Sequence, residues 1–267
     1  MRIARFSTGQ EPRYGVVELA ADHGPNPETI SVLNADPLAG PVKLTGERVL
    51  LSEARLLAPV IPRSKVVGVG RNFSAHAAER GAEVPSAPIL FFKPNTSVVG
   101  PGESVIRPVE CRNLHYEGEL AVVISRICRR VPVERVSEVV FGYTAANDVT
   151  ARDIQDSDPQ WTRGKGFDTF CPLGPWICTH LSLDEAQNLD IATRVNQELR
   201  QSGNTSQQLR PIAELVSYIS GFTTLLPGDV VLTGTPSGVG EIVPGDEVAV
   251  TISEIGTLSN PVRAEEG

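Results

Sequence analysis

The segment His115-Tyr116-Glu117-Gly118-Glu119-Leu120-Ala121-Val122-Val123-Ile124 decides how the chain is read. Its second half is strongly apolar and rich in valine and isoleucine, which predicts a strand. Side chains alternate faces along a strand, so Glu117 and Glu119 are expected on the same side. Two such carboxylates beside an apolar run repel each other and lose hydration. A bound cation relieves both penalties. A solvated face at the strand entrance would also tolerate the pair, and spacing alone leaves both readings open.

A third carboxylate favours the cation. Asp148 lies in Thr144-Ala145-Ala146-Asn147-Asp148-Val149-Thr150-Ala151-Arg152-Asp153, at the end of an apolar strand and just before an expected helix. Three carboxylates without clustered cysteine or histidine suit a hard ion: Mg²⁺, Mn²⁺ or Ca²⁺. Mg²⁺ takes six oxygens, so three from protein leave three places for water or substrate.

Outward from these segments β signals dominate. Strands are expected at Lys65–Val69, Ile89–Phe92, Leu120–Ser125, Val139–Ala146, Ile191–Val195, Val230–Thr233 and Glu247–Ile252. Helices are fewer: Phe73–Arg80 with Asn72 as its cap, Ala151–Asp156, and Pro211–Ser220 with Pro at its first turn. Strands and helices do not alternate regularly, which disfavours a doubly wound α/β fold. The expectation is a β-rich α+β protein. Residues 1–60 read as a small N-terminal β-rich region with strands at Arg2–Phe6 and Tyr14–Ala20. Residues 21–60 read as irregular, punctuated by Asp22, Gly24, Pro25, Pro27, Asp36 and Pro37. Residues 61–267 form the expected catalytic domain.

Composition excludes several functions. The 267 residues carry a net charge of −8, which argues against nucleic acid as a main partner. The 24 glycines and 21 prolines, with 5% aromatics, fit many turns and short strands rather than a helical bundle. Cys111, Cys128, Cys171 and Cys178 form no CxxC and read as reduced, packed thiols. No signal sequence or membrane-length run is visible, so a cytoplasmic protein is expected.

Two further groups carry chemistry. His76 and Glu79 share a face of the expected helix, and a Glu that orients a His makes a general base. An exposed surface pair is the alternative. Lys165, in Trp161-Thr162-Arg163-Gly164-Lys165-Gly166-Phe167-Asp168, is suited to a developing oxyanion, or is a solvated loop lysine. Thr233-Gly234-Thr235-Pro236-Ser237-Gly238-Val239-Gly240 lacks the GK[ST] ending of a P-loop, and Gly68-Val69-Gly70 lacks the third glycine of a dinucleotide fingerprint. A nucleotide-dependent dehydrogenase is therefore rejected. The glycine-rich turn either holds a substrate carboxylate on its N–H groups or is structural.

Taken in order, these segments resemble the fumarylacetoacetate hydrolase family: Gly68-Val69-Gly70-Arg71-Asn72-Phe73 with His76 and Glu79, Phe92-Lys93-Pro94, the Glu117 and Asp148 segments, the Lys165 segment and the Thr233–Gly240 turn. The match spans roughly residues 60–265. It implies a mixed β-sandwich roll, usually a homodimer, and Mg²⁺ or Mn²⁺ on Glu117, Glu119 and Asp148. It implies small 2-oxo acid substrates that chelate the cation, with His76 and Glu79 activating water and Lys165 steadying the enolate oxygen. Arg152, Gln155 and Thr235 match substrate-contacting positions. The expected reaction is hydrolysis of the C–C bond of acylpyruvate-type 2,4-dioxo acids, such as fumarylpyruvate or acetylpyruvate, to pyruvate and a carboxylic acid. The same site would serve a 2-hydroxyhepta-2,4-diene-1,7-dioate (5-carboxymethyl-2-hydroxymuconate) isomerase or an oxaloacetate decarboxylase. A metal-binding protein without turnover is the non-enzyme alternative.

Overall fold

The computed structural model describes residues 1–20, 27–79 and 84–266. Of the expected features, Asp22, Gly24, Pro25 and Arg80 lie outside the described residues.

A twelve-stranded sheet forms the body. From the N-terminal edge its main path runs Leu44–Leu50, Thr29–Leu33, Arg13–Glu18, Arg2–Ser7, Cys171–Cys178, Val140–Asn147, Gly118–Ile124, Val230–Leu232, Val66–Gly70 and Ile89–Lys93. Along that path only Val230–Leu232 and Val66–Gly70 pair in parallel. A five-stranded sheet contains Asp190–Val195, Glu247–Ile252 and Gly256–Ala264. A three-stranded sheet joins Thr150–Ala151, Leu114–Tyr116 and Gly240–Glu241.

The central strand Gly118–Ile124 explains its own composition. Leu120, Val122 and Ile124 enter one apolar cluster, while Ala121 and Val123 enter another on the opposite face. Both faces are covered, so the strand reads as a continuous apolar run rather than as an alternation. The long helix Ile212–Phe222 buries Ile212, Leu215, Val216 and Ile219 completely, at the i, i+3, i+4, i+7 spacing of one helical face.

The structure corrects several expectations. The His115–Ile124 segment is not one strand: Leu114–Tyr116 belongs to the three-stranded sheet, and the chain breaks at Glu117 before Gly118 begins the central strand. Residues 21–60 are not uniformly irregular, because Thr29–Leu33, Leu44–Leu50 and Arg55–Leu57 are strands. Leu44–Leu50 is an edge strand that is mostly exposed, so it carries no apolar alternation to reveal it. Cys171–Cys178 is a fully buried strand that Pro172, Gly174 and Pro175 disguise as a turn. Asn72 does not serve as a helix cap: its amide donates to the carbonyls of Arg210 and Thr233, and its oxygen accepts from the N–H of Arg210. Among the described residues, no helix is long and apolar enough to cross a membrane.

Candidate active site

Antiparallel register assembles the carboxylates. Gly118 pairs with Asn147, so Glu117 falls opposite Asp148, whose N–H donates to the Glu117 carbonyl at 2.8 Å. The Asn147 side chain accepts from the Glu117 N–H at 2.9 Å and fixes the break in the chain. Glu119 follows one residue into the strand. Ligand oxygens of Glu117, Glu119 and Asp148 lie within 4.8 Å of one another, and all three residues are buried.

Three cations face these three anions. Arg152, on the short helix Arg152–Ser157, donates to Glu117 and holds Gln155 at 2.8 Å. Lys165 bridges Glu117 Oε2 at 2.7 Å and Asp148 Oδ2 at 2.6 Å. It sits on the helix Thr162–Gly166 rather than on a loop, and it is 2% exposed, which removes the solvated-lysine reading. The backbone of Gln155 passes so near Gly164 that a Cβ there would approach it to 2.8 Å, so the glycine lets the two helices close on the carboxylates. Lys93 donates to Asp148 Oδ1 at 2.5 Å and to the Val149 carbonyl at 3.2 Å.

Sequence reasoning assigned Lys93 no role. It ends the strand Ile89–Lys93, in which Phe91 and Lys93 are buried and Phe92 is exposed. A lysine in the inward phase of an apolar strand was the signal that could have found it.

The charges are unevenly shared. Burial by itself would raise the Glu117 carboxyl, but Arg152, then Lys165 and His76, hold it well below the usual range. Glu119 is the opposite case. Burial first, then the charges of Asp148 and Glu117, push it well above that range, and its hydrogen bond comes from the Gly234 N–H at 2.7 Å. A buried carboxylate crowded by two others and bonded to no cation among the described residues is a poor structural element and a good ligand. At this separation each like-charge pair costs about 3 to 4 kcal/mol at an effective dielectric near 20. An all-oxygen donor set of three anions therefore fits a hard divalent ion at Glu117, Glu119 and Asp148.

The helix Ser74–Glu79 brings the other chemistry. His76 Nδ1 lies 3.4 Å from Glu79 Oε2, and its Nε2 lies 4.0 Å from Glu117 Oε1. Burial, the largest influence, lowers the His76 pKa, so the neutral imidazole is favoured. The Glu79 carboxylate also accepts from the Gly238 N–H at 3.1 Å. The glycine-rich turn thus ties down Glu79 at one end and Glu119 at the other. Thr235 donates to the Gly118 carbonyl at 2.8 Å and accepts from Gln201, a buried residue that sequence reasoning passed over.

One cavity of about 170 Å³ gathers His76, Glu117, Glu119, Arg152, Gln155, Lys165 and Thr235. Asp148 and Glu79, the remaining two of the nine sequence candidates, stand behind it as partners of Lys165 and His76. Arg152 Nε is buried without a hydrogen-bond partner among the described residues, a donor left over for an anionic ligand.

The pattern described as Fumarylacetoacetate (FAA) hydrolase C-terminal matches residues 65–263. The chain belongs to the fumarylacetoacetate hydrolase family. This family member also matches, over residues 1–59, a pattern described as Rv2993c-like, N-terminal. It is 44% identical over 262 residues to Protein Rv2993c of Mycobacterium tuberculosis, covering 98% of each chain. It is similar to the structure of 5-carboxymethyl-2-hydroxymuconate delta-isomerase from Mycobacterium smegmatis, with TM-score 0.90 and 44% identity, over 99% of this chain and 100% of that one. It is 43% identical over 219 residues to the mitochondrial oxaloacetate tautomerase Fahd2a of Rattus norvegicus, covering 79% of this chain and 70% of the relative. The strand-rich architecture is that of the fumarylacetoacetate hydrolase fold. Enzymes of the family are typically divalent-metal dependent, and the buried acidic triad is a candidate site for such an ion.

Proposed function

We propose that this protein is a divalent-metal-dependent enzyme that carries out proton transfer on small 2-oxo acids, interconverting keto and enol or diene forms. The observation that carries this reading is the His76 imidazole, buried, backed by Glu79 and 4.0 Å from an oxygen of Glu117. The names of the isomerase and tautomerase relatives support it.

Glu117, Glu119 and Asp148 would hold Mg²⁺ or Mn²⁺, which would supply Lewis acidity to a 2-oxo carboxylate head. The protein does the rest. With Nδ1–H directed to Glu79, Nε2 of His76 presents its lone pair to the cavity and takes the proton from the carbon next to the 2-oxo group. Electrons move to the oxygen, where Lys165 offers positive charge. His76 then returns the proton to the other end of the conjugated system. Arg152, Gln155 and Thr235 line the walls and orient the acid.

Hydrolysis of acylpyruvates is the second reading, favoured by the His76–Glu79 pair, which would serve equally to activate a water. One experiment separates them. Oxaloacetate, acetylpyruvate and fumarylpyruvate are each incubated with Mg²⁺ or EDTA, following enol absorbance and pyruvate release together. Metal-dependent acceleration of tautomerisation without pyruvate is the expected result. Pyruvate from the two diketo acids would make the protein a hydrolase, and pyruvate from oxaloacetate alone a decarboxylase. No change in any of them would leave a binding protein.

A further inference from the structure

Arg71 follows directly on the strand Val66–Gly70 and holds a left-handed backbone, with φ of 57° in a residue that is not glycine. Such conformations persist where the surroundings enforce them, and they concentrate at ligand sites. Arg71 lines the carboxylate cavity and also a second cavity of about 210 Å³, bounded by Val84, Pro85, Leu209 and Arg210. Val69, Gly70 and Arg71 are walls of both cavities. The guanidinium carbon lies 5.7 Å from the ring centroid of Trp161, which lines the first cavity beside it. The fit is close: a Cβ on Gly70 would meet the indole at 2.4 Å.

The other described cations around the carboxylates are each ion-paired to them, and of these Arg152 alone keeps a buried donor, Nε, without a partner among the described residues. Lys93 is held by Asp148, Lys165 by Glu117 and Asp148, and Arg152 by Glu117 and Gln155. Arg71 makes no ion pair among the described residues; its contact is the face of Trp161. A cation–π contact of this kind uses none of the guanidinium's N–H donors, which can bind a carboxylate through two parallel hydrogen bonds.

We infer that Arg71 binds the distal carboxylate of the substrate and makes the enzyme selective for 2-oxo dicarboxylic acids over 2-oxo monocarboxylic acids. The inference rests on the reading of the site as one for 2-oxo acids. The head of the acid lies on the Glu117, Glu119 and Asp148 side. The tail runs toward Arg71, and the second cavity beyond the shared wall takes the length of longer dioates.

Oxaloacetate and 2-oxobutanoate form a matched pair that differs by a carboxylate in place of a methyl group, and oxalate has a head alone. Their binding to the Mg²⁺-loaded protein is measured by calorimetry in the wild type, Arg71→Lys and Arg71→Ala. Melting temperature and Mg²⁺ affinity check that each variant is folded. The wild type is expected to prefer oxaloacetate to 2-oxobutanoate by about tenfold or more. Arg71→Ala should bring that ratio close to one without changing the affinity for 2-oxobutanoate or oxalate, and Arg71→Lys should fall between. An unchanged ratio in Arg71→Ala overturns the inference, as does an equal loss for all three ligands. Because binding is the readout, these outcomes stand even if the wild type turns over none of the acids. Failure of the wild type to bind any of the three ligands overturns the 2-oxo acid reading and this inference with it.

Discussion

Glu117 and His76 stand 4.0 Å apart, yet different kinds of structure hold them. Glu117, Glu119 and Asp148 are at most 4% exposed; Glu119 is on the central strand, and Glu117 and Asp148 flank the Gly118–Asn147 pair that begins its ladder with the neighbouring strand. His76 rides on a helix of six residues, too short to be stable alone. That helix is tied down by the contact of Glu79 with the Gly238 N–H and by the Phe73–Gln208 bridge just before it. The floor of the site is therefore rigid and charged whether or not a ligand is present. The proposed base above it, His76, is held through contacts made by Glu79 and Phe73. On the proposed reading, such a site would hold the metal on the buried floor and leave the placement of His76 to the contacts of its short helix.

The contrast between floor and roof is most exposed to test at the floor. Asp148→Asn removes an anion that both Lys93 and Lys165 need. Breaking a buried pair from one side costs about 3 to 5 kcal/mol, and the proposed metal site loses a ligand at the same time. Urea unfolding and Mn²⁺ titration should show a large loss of both stability and metal affinity. Wild-type Mn²⁺ affinity in this variant would mean that the ion binds elsewhere.

At the roof, His76→Ala should separate chemistry from metal binding. Turnover should fall by about two to four orders of magnitude, the usual contribution of a positioned acid–base group. Mg²⁺ affinity and melting temperature should stay near those of the wild type. A parallel loss of metal affinity would show that roof and floor are one structural unit.

A subtler change probes how the floor balances its charge. Lys93→Met leaves Asp148 with Lys165 as its remaining cation partner. The metal-free protein should lose about 3 kcal/mol, and Mg²⁺ should restore most of it, because the ion replaces the missing positive charge. Melting curves with Mg²⁺ and with EDTA measure this, and a wider gap between them than in the wild type is the expected outcome. An equal gap would make Lys93 a packing element only.

Much of the floor was legible in the amino-acid sequence. The alternation of a strand and the ligand preferences of carboxylates are local properties, carried by residues 117, 119 and 148 themselves. The helical spacing of His76 and Glu79 is equally local. The expected continuous strand was not: Glu117 sits at a break, held in place by Asn147, the last residue of the neighbouring strand, and by Asp148 just beyond it. The strand Leu44–Leu50 escaped because an exposed edge needs no apolar pattern. The strand Cys171–Cys178 escaped because its prolines and glycine read as punctuation.

Residue types and their local order dictated the ligand chemistry: three oxygen donors for a hard cation, with a histidine base nearby. How those charges are balanced was left to the folded chain. Lys93 reaches Asp148 across 55 positions, Lys165 chooses Glu117 across 48, and Gly234 reaches Glu119 across 115. Arg71, next to none of them in sequence, lines the same cavity without an ion pair among the described residues. The reason is that residue type sets what a group can bind, while ion pairing in a buried site is set by distance, and distance here comes from strand register and the packing of two short helices.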